Sequence, residues 1–259
     1  MIYVGTSGYS YKDWVGTWYP PGTDSRDMLK LYAQRFTTLE LNFTYYRLPS
    51  IRTIEGIMRK LPEGFRLFVK ANSETTHARN REAAKPFKEG IEPLRKSGML
   101  AGVLAQFPYS FKNEPASREY LKQLAEDFTG YSVIVEFRNR DWSKMSTLDL
   151  LRGLGAGFCC VDEPYELGLM PPVAEATTDT AYVRFHSRDK GKWYGGDAKE
   201  RYNYLYSKEE LAEWQPKVKK LDDITESAYV FFNNCHAGHA AVNAEQFRDM
   251  LKGIGLLVQ

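Results

Sequence analysis

The sequence predicts a closed (β/α)8 barrel of the TIM type, as a single domain over residues 1–259. Three observations carry this expectation. The 259 residues match the usual length of one such barrel. Short apolar runs alternate with longer segments of helical period, the pattern of repeated βα units. The turn after the first run, Gly5-Thr-Ser-Gly8, lacks the G-x-G-x-x-G spacing that announces an open, doubly wound sheet. No run reads as a charged edge strand, which also favours closure.

Taken in order, the expected strands are Ile2–Gly5, Thr38–Asn42, Arg66–Ala71, Met99–Gln106, Ser132–Phe137, Gly157–Asp162, Ala181–Phe185 and Ser227–Asn233. Met99-Leu-Ala-Gly-Val-Leu-Ala and Val133-Ile-Val are continuous apolar runs, as strands covered on both faces should be. Between strands two and three, Ile51, Ile54, Met58 and Leu61 recur at helical spacing after Ser50, a good N-cap. Ser207-Lys-Glu-Glu210 reads as a capping box, with Leu211, Trp214, Val218 and Leu221 on one helical face behind it. Asn243, Ala244, Phe247 and Leu251 fit a last helix. The sixth connection, Asp162 to Ala181, holds Pro164, Pro171 and Pro172, so it is expected to be mostly loop.

Composition narrows the function classes. A formal net charge of +2 with 26% charged residues excludes a nucleic-acid binder resting on bulk charge alone. Cys159, Cys160 and Cys235 are odd in number, with two adjacent in an apolar run, which suggests reduced thiols and a cytoplasmic location. The N-terminus opens on an apolar strand with no signal-peptide core, and nothing approaches a membrane span. Oligomeric state is not legible.

In a barrel of this kind chemistry lies at the C-terminal strand ends. Here these are Thr6 and Ser7, Glu40 and Asn42, Lys70, Gln106, Glu136 and Arg138, Asp162 and Glu163, Arg184 and His186, and Asn233 and Asn234. A ring of charge at the end of an apolar barrel has a cost that packing does not explain. The mixture of signs suggests acid–base chemistry beside a cationic clamp for a small anionic ligand. Arg138 and Arg184 would grip its oxygens, with Lys70 as a further point charge. Glu136 and Asp162 are general-base candidates, with His186 as proton donor. Lys70 as a Schiff-base nucleophile would need a carboxylate-free setting, and Glu40 is an expected neighbour. The bland alternative is a self-neutralising ion network that seals the mouth.

Other residues extend the site. His77 follows strand three, and Trp14 and Tyr45 lie in the first and second loops. The seventh loop mixes Trp193, Tyr194, Tyr202, Tyr204 and Tyr206 with Arg188, Lys190, Lys192, Lys199 and Arg201, offset by Asp189, Asp197 and Glu200. Such a loop suits a lid, or, less readily, a stacking surface for single-stranded nucleic acid or nucleotides. Glu40, Glu136, Asp162 and His186 would suit magnesium or manganese, but the nearby cations disfavour a metal, and no cofactor is expected; a metal-dependent phosphodiester hydrolase is a further alternative, against which a total of four histidines counts. His236 and His239 have H-x-x-H spacing without a local carboxylate, so a capping role is expected there.

Several motifs in order carry a family resemblance. They are Gly5-Thr-Ser-Gly-Tyr-Ser-Tyr-Lys-Asp-Trp14, Glu40-Leu-Asn-Phe-Thr-Tyr-Tyr-Arg47, Phe68-Val-Lys70, Thr76-His77, Gln106-Phe-Pro108, Glu136-Phe-Arg138 with Trp142, Tyr182-Val-Arg184-Phe-His186 and Phe232-Asn-Asn234. Together they resemble the YecE-like family, a domain of unknown function. The resemblance implies a (β/α)8 barrel and supplies no activity. Asp141 stands where the family more often has Ser, and Ser187 where Gly is usual.

Overall fold

The computed structural model describes residues 1–195 and 198–259, without the side chains of Ala198 and Lys199; Asp197 and the Lys199 side chain, named above in the seventh loop, lie outside the described residues. Eight parallel strands make one sheet: β1 (Ile2–Thr6), β2 (Thr38–Leu41), β3 (Arg66–Lys70), β4 (Leu100–Gln106), β5 (Val133–Glu136), β6 (Gly157–Asp162), β7 (Thr180–Phe185) and β8 (Ser227–Phe232). Their order, β1-β8-β7-β6-β5-β4-β3-β2, brings the first two strands to opposite edges that curl together. The fold is a TIM-type (β/α)8 barrel. The apolar runs named from sequence become its strands with ends shifted by one residue at most.

The seam between β1 and β2 closes without a regular ladder. At the base, Ile2 N–H donates to Leu257 O (3.1 Å) and Val4 N–H to Gln259 O (3.2 Å), so the chain's last residues pair with β1. In the middle, the Tyr32 hydroxyl accepts from Thr6 N–H (2.9 Å) and lies 3.1 Å from Thr38 O. At the top, Gly8 N–H donates to Glu40 O (2.8 Å). Gly5 is required here: a Cβ at this position would stand 2.6 Å from Thr38 O.

The outer layer holds α1 (Met28–Ala33), α2 (Ile51–Met58), α3 (Ala84–Lys96), α4 (Pro115–Asp127), α5 (Met145–Leu154), α6 (Gln215–Ile224) and α7 (His239–Gly253). Ser50 Oγ caps α2 by accepting from Thr53 N–H (3.2 Å). The capping box at Ser207 forms, yet its helix, Lys208–Ala212, stops before α6 begins at Gln215. Pro216 explains the break, since it lacks an N–H and fits only the first turn of a new helix. The sixth connection carries only one 3-10 turn, Tyr165–Leu167, as its prolines suggest. Inside the barrel an aromatic plug fills the lower layers: Phe68 meets Tyr182 at 4.6 Å and Tyr229 at 4.8 Å between ring centroids, and Tyr182 meets Phe231 at 5.2 Å. The three cysteines are free and buried. Among the described residues no helix is long and apolar enough to cross a membrane.

Candidate functional site

Strand alternation above the aromatic plug decides which strand-end residues meet. In β7, Tyr182 and Arg184 pair in register with Cys159 and Val161 of β6, and His186 continues the same face. These side chains point into the barrel. Asp162 pairs instead with Phe185, whose ring packs on Trp214 (5.2 Å) and Tyr206 (5.3 Å) in the outer layer.

Arg184 is the hub of the inner set. Its Nη1 donates to Glu136 Oε2 (2.5 Å), and its Nη2 donates to Glu40 Oε1 (2.8 Å) and Ser7 Oγ (3.2 Å). Tyr182 donates its hydroxyl to the other Glu40 oxygen (2.6 Å). Arg138, two residues beyond Glu136 and on the same face, places Nη2 2.7 Å from Glu136 Oε1 and donates from Nη1 to Glu163 Oε2 (2.8 Å). His186 Nε2 lies 3.2 Å from Glu136 Oε1, and its Nδ1 lies 3.1 Å from Asn233 Nδ2. Arg138 Nη2 lies 3.1 Å from the same Nε2, and because a guanidinium only donates, Nε2 is the acceptor of that contact. Despite these approaches, Glu136 Oε1 has no aligned hydrogen bond, and neither has Nε of Arg138 or Arg184.

Burial and charge set the protonation states. Burial pushes the Glu136 carboxyl upward, but Arg138, Arg184 and His186 together hold it well below the usual range, so it is a carboxylate. Burial, then Arg138, drives His186 well below its ordinary value and keeps it neutral. Burial pushes Glu163 up to about 8 against the pull of Arg138. Lys70 is lowered to about 7, by burial and then by Arg184, with Glu136 and Glu40 opposing.

Lys70 is half-buried at the rim and donates to Gln106 Oε1 (2.9 Å). Gln106 Nε2 donates to Phe107 O (2.7 Å), which fixes the amide with its oxygen toward the lysine. The Tyr45 ring lies 4.5 Å from Lys70 Nζ, and the exposed His77 stands edge-on to Tyr45 at 5.2 Å. From the seventh loop Trp193 turns inward, 3% exposed, with Arg138 over its face at 5.6 Å and His186 at 6.5 Å. Tyr202 also meets His186, at 6.2 Å.

Other residues named from sequence take different places. Asp162 lies behind β6, where it accepts from Arg188 Nε (2.9 Å) and Nη2 (2.8 Å), Tyr206 OH (2.8 Å) and Trp214 Nε1 (2.6 Å). With four donors on two oxygens it is occupied as a structural anchor. Arg184 is correspondingly not an open half of an anion clamp, because three acceptors hold it and it is 1% exposed. Asn234 donates to Tyr204 O (2.8 Å) and Asn243 Oδ1 (2.9 Å), clasping the seventh loop to α7. Trp14 is fully buried and donates to Cys235 O (2.6 Å). Asn42 precedes the short helix Phe43–Tyr46 without capping it. His236 and His239 lie on the first loop's side, where Asp13 accepts from Ala237 N–H (2.7 Å). Among the described residues no group of three His, Cys, Asp or Glu stands close enough to hold a metal ion.

Sequence reasoning passed over Tyr182 and, of the two carboxylates named at the end of the sixth strand, gave the role to Asp162 rather than Glu163. Tyr182 carried a usable signal, since it alternates with Arg184 and His186 on one strand face. Glu163 had none, because the run Phe158–Val161 is apolar on both faces and hides which of Asp162 and Glu163 points inward.

Comparison with known proteins agrees with the barrel. The family model described as "Protein of unknown function DUF72" matches residues 3–256. The UPF0759 protein YunF of Bacillus subtilis (strain 168) is 32% identical over 270 residues, covering 97% of this chain and 95% of that protein. The solved structure of a DUF72 family protein from Thermotoga maritima MSB8 is 43% identical with a TM-score of 0.92, over 97% of this chain and 99% of that one. A DUF72 family protein from Enterococcus faecalis V583 is similar at 26% identity and a TM-score of 0.84, over 97% and 96% of the two chains.

Proposed function

This chain belongs to the DUF72 family, and we propose that it is an enzyme performing acid–base chemistry on a small anionic, sugar-like substrate at the barrel mouth. One observation carries the reading: the Glu136 carboxylate sits between Arg138, Arg184 and neutral His186, with one oxygen approached by two groups and aligned with neither. Burying several ions costs several kcal/mol each, and a network left partly satisfied is poorer than an apolar filling. A substrate that completes the network accounts for that cost. Glu136 and His186 would move protons, Arg138 would meet the anionic group, Lys70 would contact the substrate at the rim, and the Trp193 loop would exclude water.

The test is a melting-temperature screen with a panel of sugar phosphates and sugar acids. A ligand at one hundred times its Kd adds ~2.7 kcal/mol of stability, which is a rise of several degrees for a chain of this size. The rise should vanish in Lys70→Met and persist in Lys219→Met, whose side chain pairs with Asp223 on the surface. No stabilising compound in the panel, or one equally effective on Lys70→Met, would overturn the proposal.

A further inference from the structure

We infer that Lys70 is a covalent nucleophile, condensing with the carbonyl group of an aldehyde or ketone that carries an anionic group. The inference rests on the mouth being an active site and specifies its substrate class. A Schiff-base lysine must be free of carboxylates, open on one side to substrate and held in place by neutral partners. The carboxylates nearest in charge are turned away from it: Glu40 binds Arg184 and Tyr182, Glu136 binds Arg184 and Arg138, and Glu163 binds Arg138. Lys70 Nζ instead contacts a neutral amide oxygen, Gln106 Oε1, and a ring face, Tyr45. As a residue it is partly exposed at the end of β3, and the incoming carbonyl would approach from that side.

Arg138 supports the anionic part of the assignment. It is 8% exposed at the same mouth, and its charge is felt by Lys70. A carboxylate or phosphate beside the carbonyl would be drawn toward that guanidinium while the carbonyl meets Lys70. The chemistry balances without a further reagent. The amine nitrogen adds to the carbonyl carbon, both amine hydrogens leave with the carbonyl oxygen as one water, and a carbon–nitrogen double bond remains. The depressed affinity of Lys70 for its proton, near pH 7, supplies the free amine this step requires.

The experiment is reductive trapping of the whole protein. Glyoxylate and pyruvate, an anionic aldehyde and an anionic ketone, are each added with cyanoborohydride, and labelled lysines are mapped by mass spectrometry. Propanal serves as the uncharged control. Lys70 should label at least about tenfold faster than any other lysine, because ordinary lysines hold their proton to pH ~10.4. The rate should climb through pH 7, and the anionic carbonyls should outpace propanal. Lys70→Arg should abolish the fast label without changing the melting temperature by more than a few degrees. Labelling spread evenly over surface lysines would overturn the inference; if the sugar-anion stabilisation survives that result, the acid–base reading stands without the covalent step. Loss of both would overturn the two together.

Discussion

Glu136 and Asp162 make an instructive pair. Both are buried carboxylates at the C-terminal ends of adjacent strands, and both face arginines. Asp162 looks outward into the helix layer and receives four aligned donors from Arg188, Tyr206 and Trp214. Glu136 looks into the barrel, shares two arginines with Glu40 and Glu163, and keeps one oxygen without an aligned donor. Full satisfaction fixes a structure, whereas partial satisfaction leaves room for a ligand to complete it. The difference between scaffold and site is thus one of hydrogen-bond geometry, at equal burial and equal charge.

Substitutions at the two positions can break that contrast. Asp162→Asn should have the largest effect on stability. It leaves Arg188 only the exposed Glu213 as a close counter-charge and sets an amide N–H against the buried Tyr206 or Trp214 donor, a loss of ~3 kcal/mol or more, or roughly 10 °C in melting temperature. The stabilisation by sugar anions should remain in molecules that still fold. Glu136→Gln should cost less, ~1–3 kcal/mol, because Arg184 keeps the Glu40 carboxylate and Arg138 keeps its hydrogen bond to Glu163. Turnover of the substrate, by contrast, should fall ~100-fold or more with Glu136→Gln. Equal losses of stability in the two variants would make Glu136 a second anchor and dissolve the distinction.

A smaller effect sharpens it through pH. Burial raises Glu163 to about 8 from an ordinary 4.5, so the folded protein holds that proton more tightly than the unfolded chain. Its contribution to stability is therefore fully present below the unfolded value and is lost as pH rises through about 8. Glu163→Gln cannot titrate. The melting temperature of the wild type relative to this variant should fall as pH is raised from about 5 to about 9, measured in parallel melts. A flat difference would mean that Arg138 keeps Glu163 ionised throughout.

The sequence disclosed the strands because each is a short apolar run bounded by polar residues, and it disclosed the mouth because barrel chemistry collects at strand ends. The sorting of Asp162 from Glu163 was hidden. An inward and an outward position read alike in Phe158-Cys-Cys-Val161, and only the pairing of Val161 with Arg184 reveals the phase. The partners of Asp162 were hidden for a second reason: Arg188, Tyr206 and Trp214 lie 26, 44 and 52 residues away, and no local spacing relates them. Lys70 shows the reverse case. Glu40 was its expected neighbour from strand adjacency, yet Arg184 and Tyr182 from across the barrel claim that carboxylate.

The seam between β1 and β2 bears on how the molecule is made. β1 is synthesised before the other seven strands, yet its ladder partner β8 begins at Ser227 and the segment that completes its base lies at residues 257–259. At roughly 5–20 residues per second, β1 waits on the order of ten seconds or more for either partner to be synthesised. The Tyr32 hydroxyl can join Thr6 to Thr38 long before that, since all three lie in the first 38 residues. One such bridge contributes only ~1 kcal/mol net, so β1 stays an open edge until translation nears its end.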